Sequence, residues 1–446
     1  MRNLFASAIV PSMSEADRLN RLDQEFVWHP FTQQQGWSEE EPLQIERGEG
    51  VYLFDVEGNR YIDGTSSLWC NVHGHHHPDL DRAAREQFDK VAHSTMLGLS
   101  HPGAAELAGR LVEIAPAGLS RVFYSDSGST AAEIALKMAF QYHQQCGETA
   151  RTRFIRMREA YHGDTLGSVS VGGIDLFHAT YRPLLFETLA AEPGDADQME
   201  QLLSAHEGEV AAVIMEPLVQ GAGGMIVHPD GYLRAVRGLC DHHGVLLICD
   251  EVATGFGRTG TMFAVEREGV SPDFLCLAKG ITGGYLPLAA TLTTEAVYDG
   301  FLGAPAEAKT FFHGHTYTGN PIACAVALAN LDIFRDERTI EALQPKIELL
   351  DRRLAEIAAM PGVTEVRSRG VMVGIDLGEH DPELRVGHRV TLEARKRGAL
   401  VRPLSEVVVL MPPLSISQAE LEELLDITAD SIAAALASLP APGVRT

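Results

Sequence analysis

Short, unbroken apolar runs that end on a charged residue dominate the hydrophobic pattern of this chain. Val245–Cys249 runs directly into Asp250 and Glu251, and Phe274–Ala278 runs into Lys279. Continuous apolar runs of this length are typical of strands that are buried on both faces of a parallel sheet. The pattern therefore predicts an acid and a lysine at the ends of two interior strands, the edge at which α/β sheets bind ligands.

Other strands and helices alternate along the chain, which predicts an α/β architecture. Apolar runs predict strands at Arg121–Tyr124, Phe154–Ile155, Ala211–Met215 and Leu288–Leu292. Helical periodicity predicts helices at Pro78–Val91, Pro102–Ile114, Ala131–Gln145, Tyr232–His243 and Ile322–Phe334. Alternation with two turn pairs predicts a small antiparallel meander over Leu43–Asp63.

The pattern changes near residue 335. A charged amphipathic helix is predicted at Ile340–Ala358, followed by strands at Val363–Arg367, Gly370–Asp376 and Val407–Met411 and a last helix at Gln418–Ala437. This C-terminal part is predicted to form a separate small α+β domain. Residues 1–25 are polar and have a helix-like pattern of alternating charges.

Composition narrows the class of protein. The 446 residues suffice for two domains, and 36 basic against 61 acidic residues give a net charge of −25. This charge argues against nucleic acid or an anionic membrane as a partner. Six cysteines without paired spacing indicate a reducing compartment. No apolar run approaches the roughly 18 residues of a membrane span, and Phe5–Val10 is too short for a signal peptide, so the expected location is the cytoplasm.

Asp250 and Lys279 are the residue types that pyridoxal phosphate chemistry requires. A lysine carries this cofactor covalently, and a carboxylate lies beside its ring nitrogen. Gly128 and Ser129 follow a predicted strand and open a helix, where free N–H groups and hydroxyls can bind phosphate, although a plain capped helix has the same pattern. Tyr161 follows another strand and offers a face for a planar ligand, or packs as a core tyrosine.

Two other motifs resemble a dinucleotide site and a metal site, but neither has the context that such a site requires. Gly255–Gly260 matches G-x-G-x-x-G, but five residues separate it from its strand and two of them are acidic where a pyrophosphate would bind. Four histidines at positions 73, 75, 76 and 77 invite a metal site. No acid or cysteine stands at a supporting interval, so no metal is expected.

With these pieces placed, the chain closely resembles the class III aminotransferases of pyridoxal phosphate fold type I. The motifs that carry the resemblance are SSLWCNVHGH, FYSDSGSTAAEIALKMA, YHGDTLGSVSVGG, DEVATGFGRTG, LAKGITGGYLPLAATLTT and FFHGHTYTGNP. The resemblance implies a large domain with a mostly parallel seven-stranded sheet (65–335) and a small α+β domain (336–446) that the N-terminal segment (1–64) joins. It also implies a homodimer with active sites at the subunit interface.

The resemblance assigns cofactor roles by position. It implies that Lys279 carries the cofactor, that Asp250 lies at the ring nitrogen and that Tyr161 stacks on the ring. His162 joins them in the cofactor site. The phosphate group is expected to contact Gly128, Ser129 and, from the other subunit, Thr316.

The motifs are most similar to those of enzymes that aminate 8-amino-7-oxononanoate in biotin synthesis. For such a long keto acid, the resemblance implies that Arg402 binds the carboxylate, with an interdomain salt bridge as the alternative role. Substrate contacts are also implied for Trp69, Leu68, Phe31, Tyr161, Arg258 and Gly314. The turn around Arg258 is expected to carry this residue towards the substrate.

The amino donor stays open between S-adenosylmethionine and lysine. Family members that use S-adenosylmethionine often have a tryptophan pair where this chain has Leu68 and Trp69, and a tyrosine at Phe31. The commoner donor, S-adenosylmethionine, is taken as the main expectation. Two other functions remain: another class III ω-aminotransferase that uses 4-aminobutyrate or β-alanine, and a non-catalytic relative that serves as a scaffold.

Overall fold

The computed structural model describes residues 14–40 and 42–440, so the first half of the helix-like stretch predicted at residues 1–25 lies outside the described residues. The α-helices span Glu15–Phe26, Gln34–Glu39, Ser66–Trp69, Pro78–Phe88, Pro102–Ile114, Gly128–Gln145, Leu166–Ser170, Asp175–His178, Ala196–Ala205, Tyr232–His243, Glu295–Gly300, Pro321–Asp336, Thr339–Ala358, Val386–Lys396 and Gln418–Ala437. Short 3-10 helices span Ala179–Leu184, Ala264–Glu268, Lys279–Thr282, Pro305–Glu307 and Pro382–Leu384. Within the described ranges, no helix has both the length and the apolar character needed to cross a membrane.

A seven-stranded sheet lies at the centre of the fold, and the predicted α/β class is confirmed. From one edge to the other its strands are Leu119–Ser125, Ala289–Thr294, Phe274–Leu277, Leu246–Asp250, Val210–Met215, Arg153–Met157 and Leu189–Ala191. Ala289–Thr294 runs antiparallel to both of its neighbours, whereas the other pairs are parallel. The sheet is therefore mostly parallel, as predicted.

The middle strands are buried on both faces, which is what their continuous apolar runs predict. All residues of Val210–Met215 and of Phe274–Leu277 are buried. Ile214 packs in one apolar cluster with helix Gly128–Gln145, whereas Val213 packs in the other cluster with helix Tyr232–His243. Successive side chains point to opposite faces of a strand, so helices on both faces cover the sheet and leave the strand ends for the site.

The two ends of the chain meet in a second, smaller sheet. The predicted meander forms the antiparallel strands Ile45–Glu49, Tyr52–Asp55 and Arg60–Asp63, and Ala399–Leu400 pairs in parallel with the last of them. A further sheet contains, in order, Glu365–Arg369, Met372–Asp376, Val407–Leu410 and Arg402–Leu404, and a short hairpin joins Val219–Gln220 to Ile226–Val227. The domain boundaries at residues 64 and 335 stay predictions.

The helix that follows the first strand of the central sheet begins at Gly128 rather than at the predicted Ala131. The earlier start has a local cause, because Ser127 and Thr130 form a capping box. Ser127 Oγ accepts a hydrogen bond from the N–H of Thr130 at 3.4 Å, and Thr130 Oγ1 accepts one from the N–H of Ser127 at 3.0 Å. Gly128 and Ser129 consequently belong to the first helical turn, whose N–H groups have no partner within the helix.

Candidate active site

One cavity at the carboxyl edge of the central sheet brings most of the predicted site residues together. Its volume is 710 Å³, and the predicted residues that line it are Trp69, Gly128, Ser129, Tyr161, His162, Asp250 and Lys279. Strand register explains why the acid and the lysine meet. Asp250 is paired with Cys276 on the neighbouring parallel strand, and Lys279 follows Cys276 closely in sequence.

Asp250 is buried and held by two contacts. Its Oδ1 accepts a hydrogen bond from the N–H of Val252 at 3.0 Å, and its Oδ2 lies 2.7 Å from Nδ1 of His162. The other ring nitrogen of His162, Nε2, is buried and has no hydrogen-bond partner within the described part of the chain. The carboxylate is therefore fixed at the cavity wall, next to an imidazole nitrogen that is still available for a hydrogen bond.

Lys279 begins a 3-10 helix just beyond the strand Phe274–Leu277. Its backbone has a φ of 46°, in the left-handed region, which costs a non-glycine residue about 1 kcal/mol or more. Its Nζ lies 5.0 Å from the centre of the Trp69 ring. Burial lowers the pKa of Lys279, although the carboxyl of Asp250 opposes this shift. A lowered pKa favours the neutral amine, which is the form that acts as a nucleophile or base.

Ser129 is the centre of the predicted phosphate loop. Its Oγ lies 2.8 Å from Oγ1 of Thr165 and accepts a hydrogen bond from the N–H of Thr165 at 3.0 Å. A Cβ atom at Gly163 would overlap this Oγ, and one at Gly128 would lie 2.5 Å from Cγ1 of Val252. Because side chains are excluded at both glycines, the backbone closes around a small space at the helix start, where N–H groups favour an anion.

Tyr161 is fixed through its backbone and its hydroxyl. Its N–H donates to Oε1 of Glu216 at 3.1 Å, and its hydroxyl donates to Oδ2 of Asp164 at 2.7 Å. Burial, aided by the carboxylate of Asp164, raises the pKa of Tyr161, so the phenol stays protonated at neutral pH. Phe31 packs edge-on against the ring, with 6.4 Å between the centroids. The ring is thus a rigid aromatic surface at the cavity wall.

Glu216 lines the same cavity and is not among the predicted site residues. Its Oε2 accepts a hydrogen bond from the N–H of Gly221 at 2.8 Å, while Oε1 holds the backbone of Tyr161. Burial raises the pKa of Glu216 to about 7. A signal for it was present in the sequence, because Glu216 ends the apolar run Ala211–Met215 just as Asp250 ends its own run.

The other predicted residues lie outside this cavity. Phe31 and Arg402 together line two further cavities, of 1110 and 960 Å³, and the contact between Phe31 and Tyr161 joins these to the first. The side chain of Leu68 is 47% exposed. Gly314 and Thr316 are exposed on the loop before helix Pro321–Asp336 and do not line the first cavity of their own chain.

Arg258 does not line this cavity, in contrast to the expected substrate contact, although it lies close enough for its charge to add to the burial that lowers the pKa of Lys279. Its side chain is buried, with 1% of its surface exposed. The guanidinium donates hydrogen bonds to the carbonyl of Pro412 at 2.7 Å and to the carbonyl of Asn71 at 2.8 Å. Burial lowers the pKa of Arg258 to about 10. The glycine-rich turn therefore directs this side chain between the segments that contain Asn71 and Pro412. Their backbone carbonyls accept the hydrogen bonds that the guanidinium donates.

The histidines at positions 73–77 do not converge on one point but contact separate partners. Nε2 of His75 lies 2.9 Å from Oδ2 of Asp63, and Nδ1 of His76 lies 2.6 Å from Oδ2 of Asp81. His73 is buried, and this burial lowers its pKa to about 3. In residues 14–40 and 42–440, no group of three or more histidine, cysteine or acidic side chains is arranged to hold a metal ion.

Comparison with known proteins identifies the family. The family described as "Aminotransferase class-III" matches residues 34–432, which is most of the chain. The chain belongs to the class III aminotransferases. As a member of this family it is an enzyme that depends on pyridoxal phosphate, and the predicted fold type I is confirmed.

Named relatives cover nearly the whole of this aminotransferase. The adenosylmethionine-8-amino-7-oxononanoate aminotransferase of Nitratidesulfovibrio vulgaris is 57% identical over 438 residues, which are 92% of this chain and 81% of the relative. The crystal structure of the enzyme of that name from Methanocaldococcus jannaschii superposes with a TM-score of 0.92 and 45% identity, covering 94% of this chain and 99% of that one. A PLP-bound amine transaminase from an uncultivated Pseudomonas species gives a TM-score of 0.87 and 36% identity, covering 92% and 99%.

The chemical groups at the wall of this cavity fit pyridoxal phosphate. A buried carboxylate at Asp250 and a deprotonatable amine at Lys279 face the same space. Gly163 leaves no room for a side chain beside the helix start, so its backbone approaches Ser129 closely at the place where N–H groups favour an anion. The unpaired Nε2 of His162 is a further polar group at the wall.

Proposed function

We propose that this aminotransferase transfers an amino group to 8-amino-7-oxononanoate and produces 7,8-diaminononanoate in biotin synthesis. Two relatives that align with more than nine-tenths of this chain are named for this substrate, and their names support the proposal. S-adenosylmethionine is the proposed donor, and lysine is the alternative. The structural observation that carries the proposal is Arg402, which lines the cavities adjoining Tyr161 and has no ion pair among the described residues.

We further propose the roles of the residues in the first cavity. Pyridoxal phosphate, when bound, supplies an aldehyde carbon for the amino group and a ring that accepts electrons. Asp250 would hold the ring nitrogen in its protonated form, and His162 orients this carboxylate through the 2.7 Å contact. Gly128 and Ser129 would hold the phosphate, and Tyr161 would provide an aromatic surface for the ring.

Lys279 carries the cofactor and moves the proton. As a free amine, its Nζ would be the base that takes and returns a proton at the substrate carbon. This role needs a neutral amine, and the lowered pKa of Lys279 supports it. The buried wall around Nζ, with Trp69 at 5.0 Å, limits the access of water to the reacting atoms.

The far end of the substrate would meet Arg402. A guanidinium binds a carboxylate through two parallel hydrogen bonds, which suits a long acid whose other end reacts. Trp69 and Phe31 provide apolar surface along the way, and Leu68 lies beside Trp69 in sequence. Arg258 has no proposed substrate contact, because its donors are used by backbone carbonyls.

A homodimer is proposed as the working assembly. Gly314 and Thr316 lie on an exposed loop, and the same loop exposes the large apolar side chains of Phe312 and Tyr317. Such a surface fits a subunit interface, from which Thr316 would reach the phosphate site of the other subunit and Gly314 its substrate. A cytoplasmic location is also proposed, since all six cysteines are free thiols.

The proposed function is tested by measuring the half-reaction with the amino donor and the half-reaction with the acceptor separately. Purified holoenzyme is mixed with S-adenosylmethionine or with lysine, and the cofactor absorbance is followed for conversion to the amine form. Addition of 8-amino-7-oxononanoate should then restore the original spectrum. If neither donor converts the cofactor but β-alanine or 4-aminobutyrate does, the enzyme is another ω-aminotransferase. If none of these amines converts it, the proposed function is wrong.

A further inference from the structure

A cavity of 1110 Å³ separates the N-terminal segment from helix Val386–Lys396. Trp37 and Glu40 line it from the N-terminal side, and Arg395 lines it from the helix. Arg402 lies on its wall as well, so this space adjoins the proposed substrate path.

One face of the helix is turned towards this cavity. His388, Thr391 and Arg395 all line it, and their spacing of three and four residues places them on the same helical face. Oγ1 of Thr391 donates to the carbonyl of Val401 at 3.3 Å, immediately before Arg402. The helix therefore lies against the strand that carries Arg402, and Arg395 stands one turn beyond this contact.

The cations of the cavity are only partly neutralised. Oε1 of Glu40 lies 3.3 Å from Nη1 of Arg385 and 3.0 Å from Nε2 of His388, whose pKa is lowered by burial, so Arg385 is the cation that pairs with this carboxylate. Arg395 and Arg402 have no ion pair in residues 14–40 and 42–440, and the buried Nε of Arg395 has no hydrogen-bond partner there. Arg395 and Arg402 thus line one cavity without a direct ion pair among the described residues, although the carboxylates of Glu40 and Asp63 line it too and the charge of Glu40 acts on Arg395.

Several partly buried arginines of this chain have a direct carboxylate partner, whereas Arg258 donates to backbone carbonyls. Nη1 of Arg237 lies 2.7 Å from Oδ2 of Asp273, and Nη2 of Arg353 lies 2.6 Å from Oδ1 of Asp426. A partly buried guanidinium keeps its charge, and its donors cost free energy when nothing accepts from them. An anionic ligand in the cavity would relieve this cost for Arg395 and Arg402 together.

We infer that Arg395 is a second carboxylate-binding residue, which acts with Arg402 to hold the acid end of the long-chain acceptor. The ligand class is a straight-chain carboxylate. The identity of the acceptor rests on the proposed function, whereas the anion subsite rests on the cavity alone. Arg395 is thereby a specificity-determining residue that favours acceptors with a distant carboxylate over simple ketones.

Calorimetric titration of the holoenzyme with nonanoate, an unreactive straight-chain acid, tests the inference. Arg395→Gln should weaken nonanoate binding about tenfold, because a charge-assisted hydrogen bond is lost. Arg397→Gln is the matched control, since Arg397 pairs with Glu393 at 2.6 Å at the end of the same helix. Arg397→Gln should bind as the wild type does. Equal affinity in Arg395→Gln and the wild type overturns the inference.

A second pair of measurements keeps the test independent of folding and of the proposed function. Arg395→Lys preserves the charge and should retain most of the affinity, so a loss equal to that of the Gln variant also contradicts the inference. Titration with inorganic phosphate identifies the source of the anion: unchanged phosphate binding in Arg395→Gln assigns the subsite to carboxylate ligands, and a parallel loss assigns it to free anions and overturns the substrate role. Nonanoate needs no turnover, so a failed transamination leaves this result intact.

Discussion

Glu216 directly follows one strand of the central sheet, and Asp250 ends the neighbouring parallel strand. The register pairs Met215 with Cys249, the residues that precede them. The register therefore sets two carboxyl groups side by side at one cavity wall. Burial, to which the carboxyl of Asp250 adds, raises the pKa of Glu216 to about 7. Two acids whose environments differ can divide their roles. Asp250 is the group proposed to lie at the ring nitrogen, and Glu216 is proposed as a proton-holding group that fixes the backbone of Tyr161.

Replacement of Glu216 by Gln should reduce the pH dependence of stability. The pKa of Glu216 in the fold, about 7, lies above its ordinary 4.5, so the native state binds the proton more tightly. The free energy of unfolding should consequently fall by on the order of 2–3 kcal/mol, for this one group, as the pH rises from 4.5 to 7. Above pH 7 this contribution should stay level. Urea unfolding at pH 5 and pH 8 measures the difference.

Exposed Glu207 provides the control for that experiment. Glu207→Gln should keep the wild-type difference between the two pH values, whereas Glu216→Gln should lose part of it. An identical difference in all three proteins would show that Glu216 is ionised throughout this range, and its assigned role as a proton-holding group would then fail.

Replacement of Asp250 by Asn should lower kcat while the fold persists. The amide keeps the size of the side chain but removes the charge proposed to hold the ring nitrogen protonated. Removal of one such preorganised group commonly lowers kcat about 100-fold to 1000-fold. Single-turnover kinetics measure the effect, with Asp241→Asn, an exposed helical position, as the control. A kcat near that of the wild type would remove Asp250 from the mechanism.

Gly163→Ala should weaken the binding of pyridoxal phosphate. The new Cβ would overlap Oγ of Ser129, and the φ of 116° at Gly163 is unfavourable for alanine. The dissociation constant of the cofactor, measured by fluorescence titration of the apoenzyme, should rise at least about tenfold, a loss of roughly 1.4 kcal/mol.

Gly109→Ala is the matched control for that substitution. Gly109 lies within helix Pro102–Ile114, and nothing lies within 4 Å of its added Cβ. Alanine there should leave cofactor binding unchanged and stabilise the helix by up to about 1 kcal/mol. If both alanine variants bind the cofactor equally well, the close approach of Gly163 and Ser129 is not part of the phosphate site.

Arg402→Gln should raise the KM for 8-amino-7-oxononanoate. A hydrogen bond to a charged group contributes about 1.5–3 kcal/mol, which corresponds to a roughly 10-fold to 100-fold change. The half-reaction with the amino donor should change less than the half-reaction with the acceptor, and Arg402→Lys should recover part of the loss. An unchanged KM would leave Arg402 with the structural role of an interdomain contact, although no ion pair is recorded for it among the described residues.

The sequence predicted the parts of the site that depend on strand ends. Asp250 and Lys279 were found because each ends a buried apolar run, and parallel strands carry such ends to one edge. Glu216 has the same signal, since it follows the apolar run Ala211–Met215, but no site role was predicted for it. Its position became evident only from the register between neighbouring strands.

Side-chain direction in a turn was not predictable. The glycines around Arg258 allow several backbone conformations, and spacing along the chain does not fix which way the side chain points. The carbonyls of Asn71 and Pro412, both distant in sequence, decide it. The cavity of Arg395 was missed for the same reason, since its two walls come from opposite ends of the chain.

Borohydride reduction of the holoenzyme tests the central claim, that the cavity around Lys279 carries pyridoxal phosphate covalently. Reduction fixes the cofactor to its lysine, and peptide mapping by mass spectrometry then locates the modified residue. The predicted result is modification of the peptide that contains Lys279, and its absence from Lys279→Ala. Modification of another lysine, or of no peptide at all, would contradict the account.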